Sequence, residues 1–228
     1  MKMNIIKLGI NQIKKDKKIL LMSFVLAFIA TIVFGVVATA QYSDKIQGGI
    51  SSSVIRFHCL ANSNSTADQT LKLEVRDRVL AEIEPMVSQS KSKEETVEIL
   101  QKSINLMRQA ALETIEENGK DYDVRVSLEN CSFPMKKYGD TVFPAGDYDA
   151  LRVEIGEAKG KNFWCVVYPP LCFVDEGCEQ LDDGTKGELK NILTQEEYSI
   201  ILAAENDEEI VPEIKFKVVE WWQERKAK

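Results

Sequence analysis

Between Ile19 and Ser43 the chain carries no charged residue. The run reads ILLMSFVLAFIATIVFGVVATA up to Ala40. As a helix of roughly 25 residues it would extend about 37 Å, more than a hydrocarbon core of about 30 Å. A helix that is apolar all round has no face to offer water, so it belongs inside a core or inside a bilayer. The length of the uncharged stretch favours the bilayer. Lys14, Lys15, Lys17 and Lys18 stand just before it. Cationic flanks stay on the cytoplasmic side, so the chain after residue 43 is expected to face outward. Ala38-Thr39-Ala40 is an A-x-A site and favours cleavage before Gln41, whereas the apolar run exceeds a signal-peptide core of about 7 to 15 residues. A cleaved signal and a retained anchor both stay open, and both place the remainder outside the cytoplasm. The expected division is a basic cytoplasmic leader over 1–18 and the membrane-targeting helix over 19–43. A Gly- and Ser-rich linker (DKIQGGISSS) follows over 44–53, and an exported domain over 54–228.

The charge balance narrows the partners. The whole chain has 29 basic and 36 acidic residues. Six Lys and one acid fall in the first 40 residues, leaving 23 basic and 35 acidic residues beyond, a balance of −12. Polyanions are held mainly by Lys and Arg, so nucleic acid is not an expected partner. The membrane is expected to be met through the N-terminal helix alone.

Periodicity outlines the exported part. Val54 to Leu60 reads as a strand. Ser65 or Thr66 can cap a helix with Leu71, Val75, Val79 and Ile83 on one stripe, and Pro85 near its end. Ser92-x-x-Glu95 opens a second helix with Val97, Leu100, Ile104, Met107, Ala111 and Ile115 on one face, closed by Asn118-Gly119. Alternation over Tyr122 to Leu128 predicts a half-buried strand. A loop is expected over 129–147. Tyr148–Ile155 and Phe163–Tyr168 read as two strands of a hairpin, stopped by Pro169-Pro170. Residues 172–191 read as a further loop. Thr194-x-x-Glu197 caps a short helix, and Ile214, Phe216 and Val218 predict a last strand before Trp221 and Trp222. Two helices followed by clustered strands imply an α+β domain, with helices packed on one face of a mixed, mainly antiparallel sheet.

The chemistry-bearing residues are sparse. His58 is the one histidine, inside the first strand, so a two-histidine zinc motif is out of reach. No nucleophile elbow, P-loop or dinucleotide fingerprint occurs, and no catalytic residue, metal site or cofactor is expected. Five cysteines (Cys59, Cys131, Cys165, Cys172, Cys178) include no C-x-x-C pair. Cys165 and Cys172 flank the double proline, which turns the chain, and they form a candidate disulfide for an oxidising compartment. The plainer reading of Cys165 is a small buried apolar residue. Aromatics and prolines crowd FPMKKYGDTVFPAGDYDALRV and NFWCVVYPPLCFVD. Segments stiffened by proline present aromatics at low entropic cost, as protein interfaces favour. The plainer reading is that these aromatics close the core.

The same residues carry a family resemblance. The first match is Arg56 with Leu60-Ala61-Asn62-Ser63, then Asp68-Gln69, Leu71-Lys72 and Val75-Arg76-Asp77. The second is Phe133-Pro134, Tyr138-Gly139, Phe143-Pro144-Ala145-Gly146 and Tyr148, then Leu151-Arg152-Val153 and Ile155-Gly156. The third is Asn162, Trp164-Cys165-Val166, Pro169-Pro170-Leu171-Cys172-Phe173 and Asp175. In these strings the sequence resembles stage II sporulation protein R of endospore-forming bacteria. Phe163 stands where a second Trp is usual, and Asn64 where the family tends to have Asp. The resemblance implies an exported signalling protein, not an enzyme. It would be made in the forespore and delivered to the space between the two membranes. There it would activate a membrane-embedded aspartic protease of the mother cell, which processes the precursor of sigma factor E. The motif residues are then candidate contacts with that partner. Two alternatives from other classes are an exported thiol enzyme and a domain that binds the cell envelope.

Overall fold

The computed structural model describes residues 2–173, 181 and 183–202. The expected strand at Ile214–Val218, Trp221, Trp222, Asp175 and Cys178 lie outside the described residues. The chain divides into two compact units, Met1–Asp44 and Lys45–Lys228. One helix, α1 (Lys2–Ser53), runs through the boundary. In the first unit its large apolar side chains from Ile19 to Val37 are between 48% and 75% exposed. A surface of that kind is stable against lipid and costly against water. Among the described residues, α1 is the helix long and apolar enough to cross a membrane.

Residues 44–53 correct the expectation of a linker. They are the last turns of α1, and the second unit takes them into its core. Ile46 is 6% exposed and Ile50 fully buried, with Val54 buried just after the helix. The four-residue steps from Ile46 to Ile50 to Val54 make one apolar stripe, which outweighs the Gly and Ser content. Gly49 permits a close approach, since a Cβ there would lie 1.7 Å from Oε1 of Glu197.

The rest is an α+β domain. Its elements are β1 (Ile55–Leu60), α2 (Thr66–Val87), α3 (Lys93–Glu117), β2 (Val124–Phe133), β3 (Lys136–Tyr138), β4 (Thr141–Phe143), β5 (Gly146–Ile155), β6 (Asn162–Tyr168), a 3-10 turn at Leu171–Phe173, α4 (Asp183–Ile192) and α5 (Gln195–Leu202). The caps form as the sequence predicts. Ser65 Oγ accepts from Asp68 N, Ser92 Oγ from Glu95 N, and Thr194 Oγ1 from Glu197 N. Gly119 follows the Asn118 cap with φ +65°, the left-handed conformation that ends α3 without a Cβ penalty.

Four strands pair in the order β2-β5-β1-β6, with β1 parallel to β5 and the other pairs antiparallel. The expected hairpin of β5 with β6 is therefore not formed. The connecting turn wraps the end of β1 instead, with Lys159 N donating to Asn62 O and Gly160 N to Ala61 O. The expected loop over 129–147 is also shorter. β2 continues to Phe133, and a β3–β4 hairpin occupies part of the remainder. Within the expected loop over 172–191, α4 forms from Asp183.

Helices α2 and α3 cover one face of the sheet. Leu71, Val75, Val79 and Ile83 from α2 and Leu100, Met107, Ala111 and Ile115 from α3 meet Phe57, Cys59, Leu151, Val153 and Val167 in one core. Each buried aliphatic side chain contributes about 1.5–3 kcal/mol. An aspartate at the fully buried Ile83 would bring an unpaired charge into that core.

Candidate functional site

Strand alternation sends Phe57 and Cys59 of β1 toward the helices, and Arg56 and His58 toward the opposite face. Register then lines up one row on that face. Ser127 of β2 opposes Arg152 of β5, Arg152 opposes His58, and His58 opposes Trp164 of β6. The next row contains Glu129, Ala150, Arg56 and Val166.

Arg56 is fully buried, with its guanidinium carbon over four rings. The ring centroids of Phe133, Tyr148, Phe143 and Tyr138 lie 4.6, 5.1, 5.3 and 5.6 Å away. Nε donates to the Cys165 carbonyl at 3.1 Å, and one terminal nitrogen donates to the Tyr138 hydroxyl at 3.0 Å. The other terminal nitrogen has no partner among the described residues, and no carboxylate pairs with this cation there. Desolvating a cation costs several kcal/mol, and each ring face returns about 0.5–2 kcal/mol. The rings support one another edge to face, as Phe133 does Tyr148 and Tyr138 does Phe143. The Tyr148 hydroxyl donates to the Pro144 carbonyl at 2.7 Å. Burial pushes the hydroxyl pKa of both Tyr138 and Tyr148 up. The Phe-Pro, Tyr-Gly and Phe-Pro-Ala-Gly strings are thus the walls of a cage around one cation. Sequence reading flagged those aromatics but had no signal that Arg56 was their common centre.

Beside the cage, the His58 ring stacks on Trp164 at 3.7 Å and 12°. Its Nε2 lies 2.9 Å from Asn162 Oδ1, an acceptor, so Nε2 donates and Nδ1 is left as an acceptor without a partner. Burial lowers the His58 pKa to about 4, against the opposing effect of the Asn162 bond. The imidazole is therefore neutral near pH 7. Arg152 is clamped by Glu129 at 2.8 Å and Glu154 at 2.6 Å. Its Nε, like Ser127 Oγ, is buried without a partner. Of the five such atoms among the described residues, four therefore line this face, those of Arg56, His58, Ser127 and Arg152; the fifth is Thr141 Oγ1.

The other motif residues fall into two groups. Asn62, with Ser63 and Asp68, builds the corner where β1 meets α2. Asp68 accepts from Ser63 Oγ, Asn62 Nδ2 and Tyr122 OH, and these bonds lower its pKa. Asn62 Oδ1 also accepts from Glu157 N, fastening the β5–β6 turn. Pro144, Gly146 and Pro169 are buried as well. Exposed or half-exposed are Arg76, Asp77, Pro134, Gly139, Arg152, Asn162, Trp164 and Pro170. Arg76 lies over the Phe163 ring at 4.3 Å and pairs with Asp77 at 2.7 Å. Phe173 closes the 3-10 turn.

Cys59, Cys131 and Cys172 lack the lowered pKa of a catalytic nucleophile. Burial raises the Cys59 pKa to about 12 and pushes Cys131 and Cys172 upward. A reactive cysteine needs the reverse shift. Among the described residues no group of three or more His, Cys, Asp or Glu side chains could hold a metal ion.

The family described as stage II sporulation protein R matches residues 51–177, more than half of the chain. The chain belongs to the stage II sporulation protein R family. A family relative, stage II sporulation protein R of Bacillus subtilis (strain 168), is 36% identical over 192 residues, covering 80% of this chain and 86% of the relative. No solved structure matches. The protein therefore has a role in sporulation, and its N-terminal apolar helix fits a signal or a membrane anchor. The family block contains the whole Arg56 cage and the whole His58–Trp164 row.

Proposed function

We propose that this protein is an exported signal of endospore formation that works by contact. It is made in the forespore and crosses the forespore membrane on α1. It then activates a membrane-embedded aspartic protease of the mother cell, which processes the precursor of sigma factor E. The observation that carries this reading is the exposed, uncharged apolar surface from Ile19 to Val37 on a chain of a sporulation family. The partner surface is the half-exposed Trp164 row on the sheet face opposite α2 and α3. Trp164 offers a half-exposed ring held rigid by His58, and Asn162 and Arg152 edge it with polar groups. Rigid aromatics bordered by polar atoms make strong interface anchors.

The test replaces Trp164 with Ala and, separately, Glu98 with Ala, which lies exposed on α3 and outside the family motifs. Export and precursor cleavage are then measured in sporulating cells. Trp164→Ala should leave export intact and reduce cleavage about tenfold or more, as loss of an interface anchor does. Glu98→Ala should behave as the unsubstituted protein. Normal cleavage by Trp164→Ala would remove this face from the reading.

A further inference from the structure

Strand β6 carries Cys165 toward the helix-covered core, where it is 5% exposed. The chain then turns through Pro169 and Pro170, with Leu171 N donating to the Pro169 carbonyl at 2.8 Å. The 3-10 turn brings Cys172 back against the strand it has just left. Its side chain packs against the same core cluster that contains Cys165, seven residues earlier in the chain, and both thiols are free. The other described cysteines are committed elsewhere. Cys59 Sγ faces the Lys72 carbonyl, and Cys131 sits on β2, across the sheet from β6.

We propose that Cys165 and Cys172 are joined as a disulfide in the exported protein. The proposal rests on the reading that this domain leaves the cytoplasm. The two thiols lose two protons and two electrons as the Sγ–Sγ bond forms. The oxidant is itself a disulfide, either a small-molecule disulfide of the glutathione kind or an exported dithiol oxidoreductase. It accepts those electrons and protons and leaves as two thiols. One thiol takes up the mixed disulfide and the other displaces the leaving thiol. The bond has a consequence for the neighbouring cage. The carbonyl of Cys165 holds Arg56 Nε, and Arg56 holds the four aromatic walls. A covalent tie between β6 and the turn after it fixes the backbone from which that hydrogen bond hangs.

The test uses the full chain in detergent, incubated with glutathione disulfide, alkylated and digested without reduction. The expected product is one linked peptide pair containing Cys165 and Cys172, with Cys59 and Cys131 alkylated once the chain is unfolded. Linkage through other cysteines, or separate glutathione adducts on Cys165 and Cys172, overturns the assignment. The same digestion is then applied to protein recovered from sporulating cells, beside a protease-accessibility assay for its location. A linked pair in protein that is accessible from outside supports the proposal. Free thiols in externally accessible protein overturn it, while export stands. Inaccessible protein means that the export reading has failed, and a disulfide of the exported form falls with it. A double Cys165→Ser/Cys172→Ser variant should be clipped in the turn at residues 169–173 about tenfold faster by an added protease, because the turn is no longer tied. Equal clipping rates would remove the link to the cage.

Discussion

Acid should destabilise this domain through one histidine, and the size of the effect can be worked out. His58 is held neutral between Trp164 and Asn162, with a pKa of about 4 against an ordinary value of 6.5. The folded pKa is the lower one. As pH falls below 6.5 the unfolded chain therefore takes up the proton first, and the folded chain follows only near pH 4. Stability from this group is fully present above pH 6.5, is lost progressively as pH falls toward 4, and changes no further below that. The gap is equivalent to about 3 kcal/mol at most. Discounting by about half for solvent screening at this partly exposed row leaves about 1.5 kcal/mol. The assay is urea denaturation of the full chain in detergent at pH 7 and pH 4.5, for the unsubstituted protein and for His58→Gln. Acidic side chains contribute equally to both, so the difference between the two pH effects isolates the histidine. The unsubstituted protein should lose about 1.5 kcal/mol more than the variant. Because the chain has a single histidine, its ring resonance titrates without overlap and reports the pKa directly. Equal losses, or a ring titrating at or above 6.5, would refute the burial argument.

Arg56→Ala should cost about 3–5 kcal/mol in urea denaturation, since it strips four rings of their centre, whereas Arg56→Met should be nearly neutral because it removes a buried charge and keeps the volume. A loss below about 1 kcal/mol for the alanine variant would deny the cage its structural role. Ile50→Ala should cost about 2–4 kcal/mol, because the last turns of α1 belong to the domain core; a linker there would give a change within about 0.5 kcal/mol. Asp68→Ala should cost about 1–3 kcal/mol by orphaning the groups that Asp68 now accepts from, read in the same denaturation.

Much of the fold was legible because it is written in local chemistry. Ser65, Ser92 and Thr194 announce their helices through side chains that bond three residues ahead. The stripes from Leu71 and Leu100 announce which helix faces are buried. Strand order was not legible. Tyr148–Ile155 and Phe163–Tyr168 are near in sequence and look like a hairpin, yet β1 separates them through pairings set by distant residues. The helical turns at 44–53 were hidden by Gly and Ser, whose low helix propensity is outweighed once Ile46 and Ile50 are buried. At the site, the Phe-Pro and Trp-Cys strings stood out in sequence. Arg56 stood out there as a motif residue, but its place at their centre did not, because a buried arginine without a carboxylate has no sequence signature. His58 looked like an ordinary strand residue until register set it between Arg152 and Trp164.

The most direct measurement places the candidate aspartic protease and the sigma factor E precursor in vesicles. The purified domain beginning at Gln41, which retains Ile46 and Ile50, is then added from outside. Cleavage of the precursor should begin on addition, saturate with dose, and require Trp164. A precursor that is cut equally well without the domain, or that stays uncut at saturating dose while the domain is folded, would contradict signalling by contact.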